Sequence, residues 1–75
     1  MDLKQIAARL DNEEKLHLKY KTLAAVDGCN EWVIRTDRLL DVAEDREILY
    51  VERDGEPVWV HATEAIEVIP DEANG

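Results

Sequence analysis

Alternation of apolar and polar side chains is clearest between Glu47 and His61, where two runs rich in β-branched and aromatic residues flank Asp54-Gly55. An Asp-Gly pair favours the positive φ angles of a two-residue type I′ turn. The pattern therefore predicts a β-hairpin with a fixed register, closed at the turn by Arg53 and Glu56. Further from the turn, the predicted opposing pairs are Glu52 with Pro57, Val51 with Val58, Tyr50 with Trp59, and Leu49 with Val60.

This register gives the hairpin two apolar faces. Because both are apolar, we expect both to be buried, the second of them by another part of the chain. A short chain that covers both sides of a sheet is typical of a small barrel. The first face carries Leu49, Val51, Val58 and Val60, and the second carries Ile48, Tyr50, Trp59 and His61.

A helical period occupies the start of the chain. Asp2 is a suitable N-cap, and Gln5 stands three residues later, as in a capping box. We expect a helix from about Leu3 to Asp11. Since so short a helix is marginal alone, we expect its apolar stripe to dock on the second face of the hairpin. The stripe consists of Leu3, Ile6, Ala7 and Leu10.

The period changes to two at Lys15, which predicts a first strand with one wet face. Residues 27–30 then favour a turn, and residues 31–36 a second strand. We expect residues 37–45 to form an irregular link, with strand character possible around Leu39 to Val42. After the central hairpin, residues 62–64 predict a tight turn and residues 65–69 a fifth strand that ends at Pro70.

These elements predict a mainly β protein with one N-terminal helix. We expect a small five-stranded SH3-like or Sm-like barrel capped by the helix, with an open, helix-backed sheet as the alternative. The predicted domain spans residues 1–70, and residues 71–75 are expected to form a disordered tail.

Charge is distributed unevenly along the 75 residues, whose formal net charge is -9. Residues 1–37 hold seven acids and six Lys or Arg, whereas residues 38–75 hold eleven acids and three Arg. Such a field repels phosphate backbones and favours a basic protein partner. Surplus acid that serves solubility, or a salt-rich habitat, is the competing interpretation. The single cysteine and the absence of a long apolar segment indicate a cytoplasmic protein outside the membrane.

Catalytic and metal-binding chemistry is not indicated. His17 and His61 stand at no ligand spacing from each other or from Cys29. Neighbouring carboxylates do not make an acid/base pair without a pocket that separates their pKa values, so we expect no enzyme and no cofactor. The tryptophans and tyrosines are expected to pack in the core or against the helix. The feature that favours RNA is a basic stripe on the first strand, formed by Lys15, Lys19 and Lys21.

The order of a helix, LHLKYKTL, the link and hairpin TDRLLDVAEDREILYVERDGEP, and a closing ATEAIEVI resembles the Rof family of Rho inhibitors. That resemblance implies a small acidic bacterial protein with an N-terminal helix on an Sm-like barrel. It further implies a module that occupies the RNA-binding surface of transcription termination factor Rho and blocks termination. HATEAIEVIP is also similar to the last Sm strand of Hfq, although the first Sm motif is missing.

We therefore expect a monomeric, non-enzymatic interaction module whose acidic surface engages a basic nucleic-acid-binding protein, for which the resemblance implies Rho. An Sm-like RNA-binding module that uses the three lysines and an exposed aromatic is the alternative. The candidate partner-binding residues lie at the helix end and in the link, and they are Asp11, Glu13, Glu14, Asp41, Glu44 and Asp45.

Overall fold

A computed structural model describes residues 2–71 of the chain. It confirms the predicted class, a mainly β protein with one N-terminal helix. The five strands form one antiparallel sheet in the order β4-β3-β2-β1-β5. The elements are α1 (Leu3–Asp11), β1 (Leu16–Val26), β2 (Cys29–Ala43), a 3₁₀ turn (Glu44–Arg46), β3 (Ile48–Arg53), β4 (Glu56–His61), a second 3₁₀ turn (Ala62–Glu64) and β5 (Ala65–Pro70).

The sheet is not closed into the expected barrel. Strands β4 and β5 are its two edges, and across residues 2–71 they do not pair with each other. The open, helix-backed sheet is thus the arrangement that the chain adopts. Residues 72–75 of the predicted disordered tail lie outside the described residues, while the backbone N–H of Asp71 donates to the carbonyl oxygen of Lys15 over 2.8 Å.

Helix α1 begins where the sequence predicts, because the Asp2 side chain accepts hydrogen bonds from the backbone N–H groups of Lys4 and Gln5. The helix docks, however, on the opposite face of the hairpin from the one expected. Ile6 lies in the core, with Leu3 and Leu10 packed against it. We call the face that α1 covers the inner face; its buried sheet residues are Leu16, Leu18, Tyr20, Leu39, Leu49, Val51 and Val60.

The central hairpin has the predicted register. Arg53 pairs with Glu56 next to the turn, and Tyr50 pairs with Trp59 farther along. Asp54 and Gly55 have φ angles of 53° and 84°, as a type I′ turn requires. The register predicted from the Asp54-Gly55 turn is therefore confirmed.

The prediction of an irregular link over residues 37–45 was wrong, whereas the strand character considered around Leu39 to Val42 is confirmed. Strand β2 continues through residues 37–43 and pairs with β3. Between Leu39 and Asp41 the register shifts, so that Leu40 is the extra residue of a bulge. The bulge breaks the two-residue period in the sequence, which explains why the segment resembles a loop.

Strands β1 and β2 extend beyond the rest of the sheet. Strand β5 pairs with β1 only up to Tyr20, and β3 pairs with β2 only from Arg38 onward. The remaining pairs run from Lys21–Ile34 to Val26–Cys29 and are flanked by no other strand. We call this two-stranded projection, residues 21–34, the β-arm.

Candidate interaction surfaces

The six predicted partner-binding acids are all exposed. Asp11 ends α1, and Glu13 follows it with a positive φ of 62°. Glu44 and Asp45 lie in the 3₁₀ turn after β2, which contacts α1. The helix and the turn are therefore neighbours, although they are far apart in sequence.

A shallow pocket of about 330 Å³ lies at the end of α1. Glu13 and Glu14 line it together with Lys15 and Arg38, so that both signs of charge meet there. Arg9 also forms an ion pair with Glu14, with 3.2 Å between Nε and Oε1. The apolar floor of the pocket comes from Leu10, Leu39 and Leu40. A partner at this point would meet two carboxylates, two cations and a small apolar patch.

Asp41 is separated from the helix end by its position on the sheet. It pairs with Tyr50 on the face opposite α1, which we call the outer face. One carboxylate oxygen of Asp41 accepts a hydrogen bond of 2.8 Å from the backbone N–H of Val42. This contact supports the bulge, so Asp41 has a local structural role in addition to its charge.

The outer face of the central hairpin is open, which corrects the expectation that both faces are buried. Trp59 is 58% exposed, and its ring meets that of His61 edge-on, with 5.3 Å between ring centroids. A shallow depression of about 320 Å³ lies beside them, lined also by Arg46, Ile48 and Tyr50. Because α1 covers the inner face, nothing among residues 2–71 covers this apolar patch.

The outer face of the β-arm carries a second apolar patch. Leu23, Trp32 and Ile34 are 53%, 55% and 63% exposed. The ammonium of Lys21 lies over the ring of Trp32, 5.2 Å from its centroid, in a cation–π contact. Both tryptophans are therefore exposed, and the expectation that they pack in the core or against the helix was wrong. It holds for Tyr20, which is fully buried.

One residue of the lysine stripe stands opposite an acid in the sheet register. Lys19 pairs across the sheet with Glu67, whereas Lys21 lies on the β-arm, beyond the end of β5. Lys15 borders the pocket at the helix end instead.

A polar cluster that the sequence analysis missed lies at the base of the β-arm, next to the core. The Tyr20 hydroxyl donates to Oδ2 of Asp37 and accepts hydrogen bonds of 3.2 and 2.9 Å from Nε and Nη2 of Arg53. Arg35 donates to both carboxylate oxygens of Asp37, over 3.0 and 3.4 Å. A local signal existed for the Arg35–Asp37 pair alone: these residues continue the two-residue spacing from Val33 to Leu39, which places all four on one face of the strand.

The cluster shifts the pKa values of its members. Burial and the hydrogen bond to Asp37 raise the pKa of Tyr20, against the opposing effect of Arg53. Burial acts to raise the pKa of Asp37, but hydrogen bonds from Arg35 and Tyr20 and the charges of Arg35 and Arg53 outweigh it. The net pKa of Asp37 lies below its ordinary value, so its carboxylate is ionised at neutral pH, while the Tyr20 hydroxyl keeps its proton.

Three further features of the described residues concern metal ligands, the cysteine and membrane spans. Residues 2–71 contain no group of three or more His, Cys, Asp or Glu side chains placed to hold a metal ion. Cys29 is free and exposed on the β-arm. No helix within the same range has the length and apolarity needed to cross a membrane.

Comparisons with known proteins found no match: no family model, no curated protein and no solved structure is similar to this chain at a significant level.

Proposed function

We propose that the protein is a non-enzymatic acidic interaction module that engages a basic nucleic-acid-binding protein. The observation that carries the proposal is the uncompensated charge of its surface. Among residues 2–71, ion pairs join only Arg9 to Glu14 and Arg35 to Asp37. The other acids of that segment form no ion pair with another residue of it, and this leaves a negative field to attract a cationic surface.

The candidate contact surface is formed by the end of α1 and the 3₁₀ turn that it touches. Asp11, Glu13 and Glu14 supply charge at the helix end, and Glu44 and Asp45 supply it in the turn. Asp41 belongs to the outer face and extends the surface only if the partner also covers the bulge. The pocket beside Leu10 provides an apolar point at which a partner side chain could anchor.

Rho is the partner that the family resemblance implies. In that form of the proposal, the module covers the RNA-binding surface of Rho in the bacterial cytoplasm, and transcription termination is blocked. Its support consists of the resemblance in element order and of the acidic charge, since RNA and an acidic protein surface compete for the same cations.

The test is binding to purified Rho, followed by a termination assay. The helix-end variant Asp11→Asn/Glu13→Gln/Glu14→Gln removes three charges from the proposed contact. We expect it to weaken binding by about tenfold or more and to restore termination. The matched control removes three exposed acids elsewhere, at Glu52, Glu56 and Glu67, and should bind within about twofold of the unaltered protein.

Salt provides a second readout. Binding should weaken as salt rises from about 50 to 200 mM, since exposed charges are screened over that range. No binding to Rho at low salt would reject the Rho form of the proposal. Binding that salt does not change, or equal losses in the two triple variants, would reject the electrostatic contact surface.

A second function has one specific observation in its favour, the exposed Trp32 with Lys21 stacked on it. Exposed aromatic rings beside cations bind single-stranded RNA by stacking and phosphate contact. An RNA-binding module of this kind should give a gel-shift complex with single-stranded RNA at about 50 mM salt. Trp32→Ala should abolish that complex, and its absence from the unaltered protein would dismiss this function.

A further inference from the structure

The β-arm is the part of the sheet that no other strand flanks. A two-stranded hairpin that packs against nothing is marginally stable in water. This one also leaves Leu23, Trp32 and Ile34 more than half exposed. We propose that the β-arm pairs with the β-arm of a second copy of this chain through the free edge of β1, giving a two-fold symmetric dimer. This proposal does not depend on the acidic contact surface.

The pairing pattern determines which backbone groups are free. Val26 and Cys29 are the pair next to the two-residue turn Asp27-Gly28, and such a pair is hydrogen-bonded. Because bonded and non-bonded pairs alternate, the N–H and C=O groups of Lys21, Leu23 and Ala25 point away from β2. These groups form a ladder edge that no strand of the described chain occupies.

That edge lacks the features by which proteins usually prevent strand addition. Strand β4 carries Glu56 and Pro57, and β5 carries Glu67 and Pro70. The segment from Thr22 to Val26 holds neither a charge nor a proline. Between Thr22 and Val26 the exposed edge of β1 thus carries none of these features, whereas the β2 edge of the β-arm carries Glu31.

Charge complementarity identifies the occupant as a second copy. An antiparallel arrangement centred on Ala24 brings Leu23 opposite Ala25 of the other copy. The free N–H and C=O groups of these two residues can then hydrogen-bond to each other across the interface. The arrangement also brings Lys21 opposite Asp27 of the other copy, twice by symmetry. Pairing through the β2 edge centred on Glu31 would instead bring the Glu31 side chains of the two copies together, which is unfavourable.

The local charge of the β-arm permits self-association of an otherwise acidic molecule. The whole chain carries a net charge of -9, but residues 21–34 contain one lysine and two acids. Two arms can therefore meet without bringing the strongly acidic second halves of the chains into direct contact. The Leu23 side chain of each copy would then pack beside Ala25 of the other on the outer face.

Sedimentation over about two decades of protein concentration tests the dimer. We expect a species of twice the 8.6 kDa chain mass at the higher concentrations. Ala25→Pro removes one free edge N–H per copy while leaving the bonds to β2 intact, so the dimer dissociation constant should rise about tenfold or more. Ala25→Thr, which keeps the N–H, should still form the dimer.

A second variant avoids any change to the backbone. Lys21→Glu places a carboxylate opposite Asp27 of the other copy, so it should weaken the dimer severalfold at low salt and less at high salt, whereas Lys21→Arg should not. The sequence-based expectation of a monomer makes the opposite prediction for the unaltered protein. A monomer at every concentration, a monomer that binds single-stranded RNA through Trp32, or a dimer unaffected by Ala25→Pro and Lys21→Glu would overturn the proposal.

Discussion

The two hairpins of this protein use the same turn but differ in what covers them. Asp54-Gly55 closes β3 and β4, and Asp27-Gly28 closes β1 and β2, with positive φ at all four residues. Along the first hairpin, Leu49, Val51 and Val60 are buried beneath α1. Along the β-arm, every position beyond Tyr20 on β1 is exposed or half-exposed. Turn chemistry thus sets a register, whereas burial depends on the neighbouring elements.

The largest expected loss of stability comes from truncating a buried side chain of the central hairpin, compared with an exposed one of the β-arm. Leu49→Ala should destabilise the protein by about 2–5 kcal/mol, because it removes a fully buried side chain and leaves a cavity. The corresponding change in the β-arm, Leu23→Ala, should cost about 0.5 kcal/mol or less, measured by urea unfolding under conditions that keep the protein monomeric. Equal losses would mean that the β-arm belongs to the core.

The next largest loss of stability is expected from removing the charge of Asp37 in the polar cluster at the base of the β-arm. Asp37→Asn should cost about 1–3 kcal/mol at neutral pH, because the charged acceptor for Tyr20 and Arg35 is lost. Urea melts of the two proteins at pH 7 would measure the difference. Asp37→Glu, which keeps the charge, serves as the comparison and should recover part of the loss.

The pH dependence of stability should identify the same carboxylate. The pKa of Asp37 in the folded protein lies below its ordinary value of 3.8, so its contribution is present above that value and is lost as pH falls through the lowered folded pKa. Unfolding free energies measured from neutral to acid pH should therefore decline less steeply for Asp37→Asn. Parallel curves for the two proteins would show that another group is responsible.

Valine substitutions at the turn glycines of the two hairpins, Gly55 and Gly28, should show that the same backbone strain lowers global stability in one hairpin and only local stability in the other. Gly55→Val and Gly28→Val both force a β-branched residue into positive φ, at 84° and 81°, and a Cβ meets nothing within 4 Å at either site. The cost is therefore conformational, about 1–2 kcal/mol locally. We expect Gly55→Val to lower global stability by that amount, while Gly28→Val mainly accelerates amide exchange in the β-arm. Slower exchange in the β-arm of Gly28→Val would contradict this.

The smallest change in stability is expected from truncating one exposed acid in each hairpin. Glu52→Ala and Glu31→Ala should each change the free energy of unfolding by no more than about 0.5 kcal/mol, since both side chains are exposed. Urea melts of these variants provide the baseline for the other comparisons. A loss above about 1 kcal/mol in either variant would mean that its carboxylate makes a structural contact.

Local signals in the sequence determined most of the secondary structure. The Asp2 cap, the helical spacing of Leu3, Ile6 and Leu10, and the Asp54-Gly55 turn act over a few residues, and the structure has each of them where expected. The candidate acids could likewise be named from sequence as exposed charges. Their assignment as partner contacts stays a prediction, because contact depends on a second molecule.

Tertiary structure decided which apolar face is buried, how far β2 extends and whether the sheet closes. Ile48, Tyr50, Trp59 and His61 form a largely apolar face opposite the one beneath α1, but one short helix can cover only one side of the hairpin. The Tyr20–Asp37–Arg53 contacts join residues 17 and 33 positions apart, so no local pattern specifies them. The sequence period indicates which side chains share a face of the sheet. Which of the two faces is buried from water depends on the packing of segments that are distant in sequence.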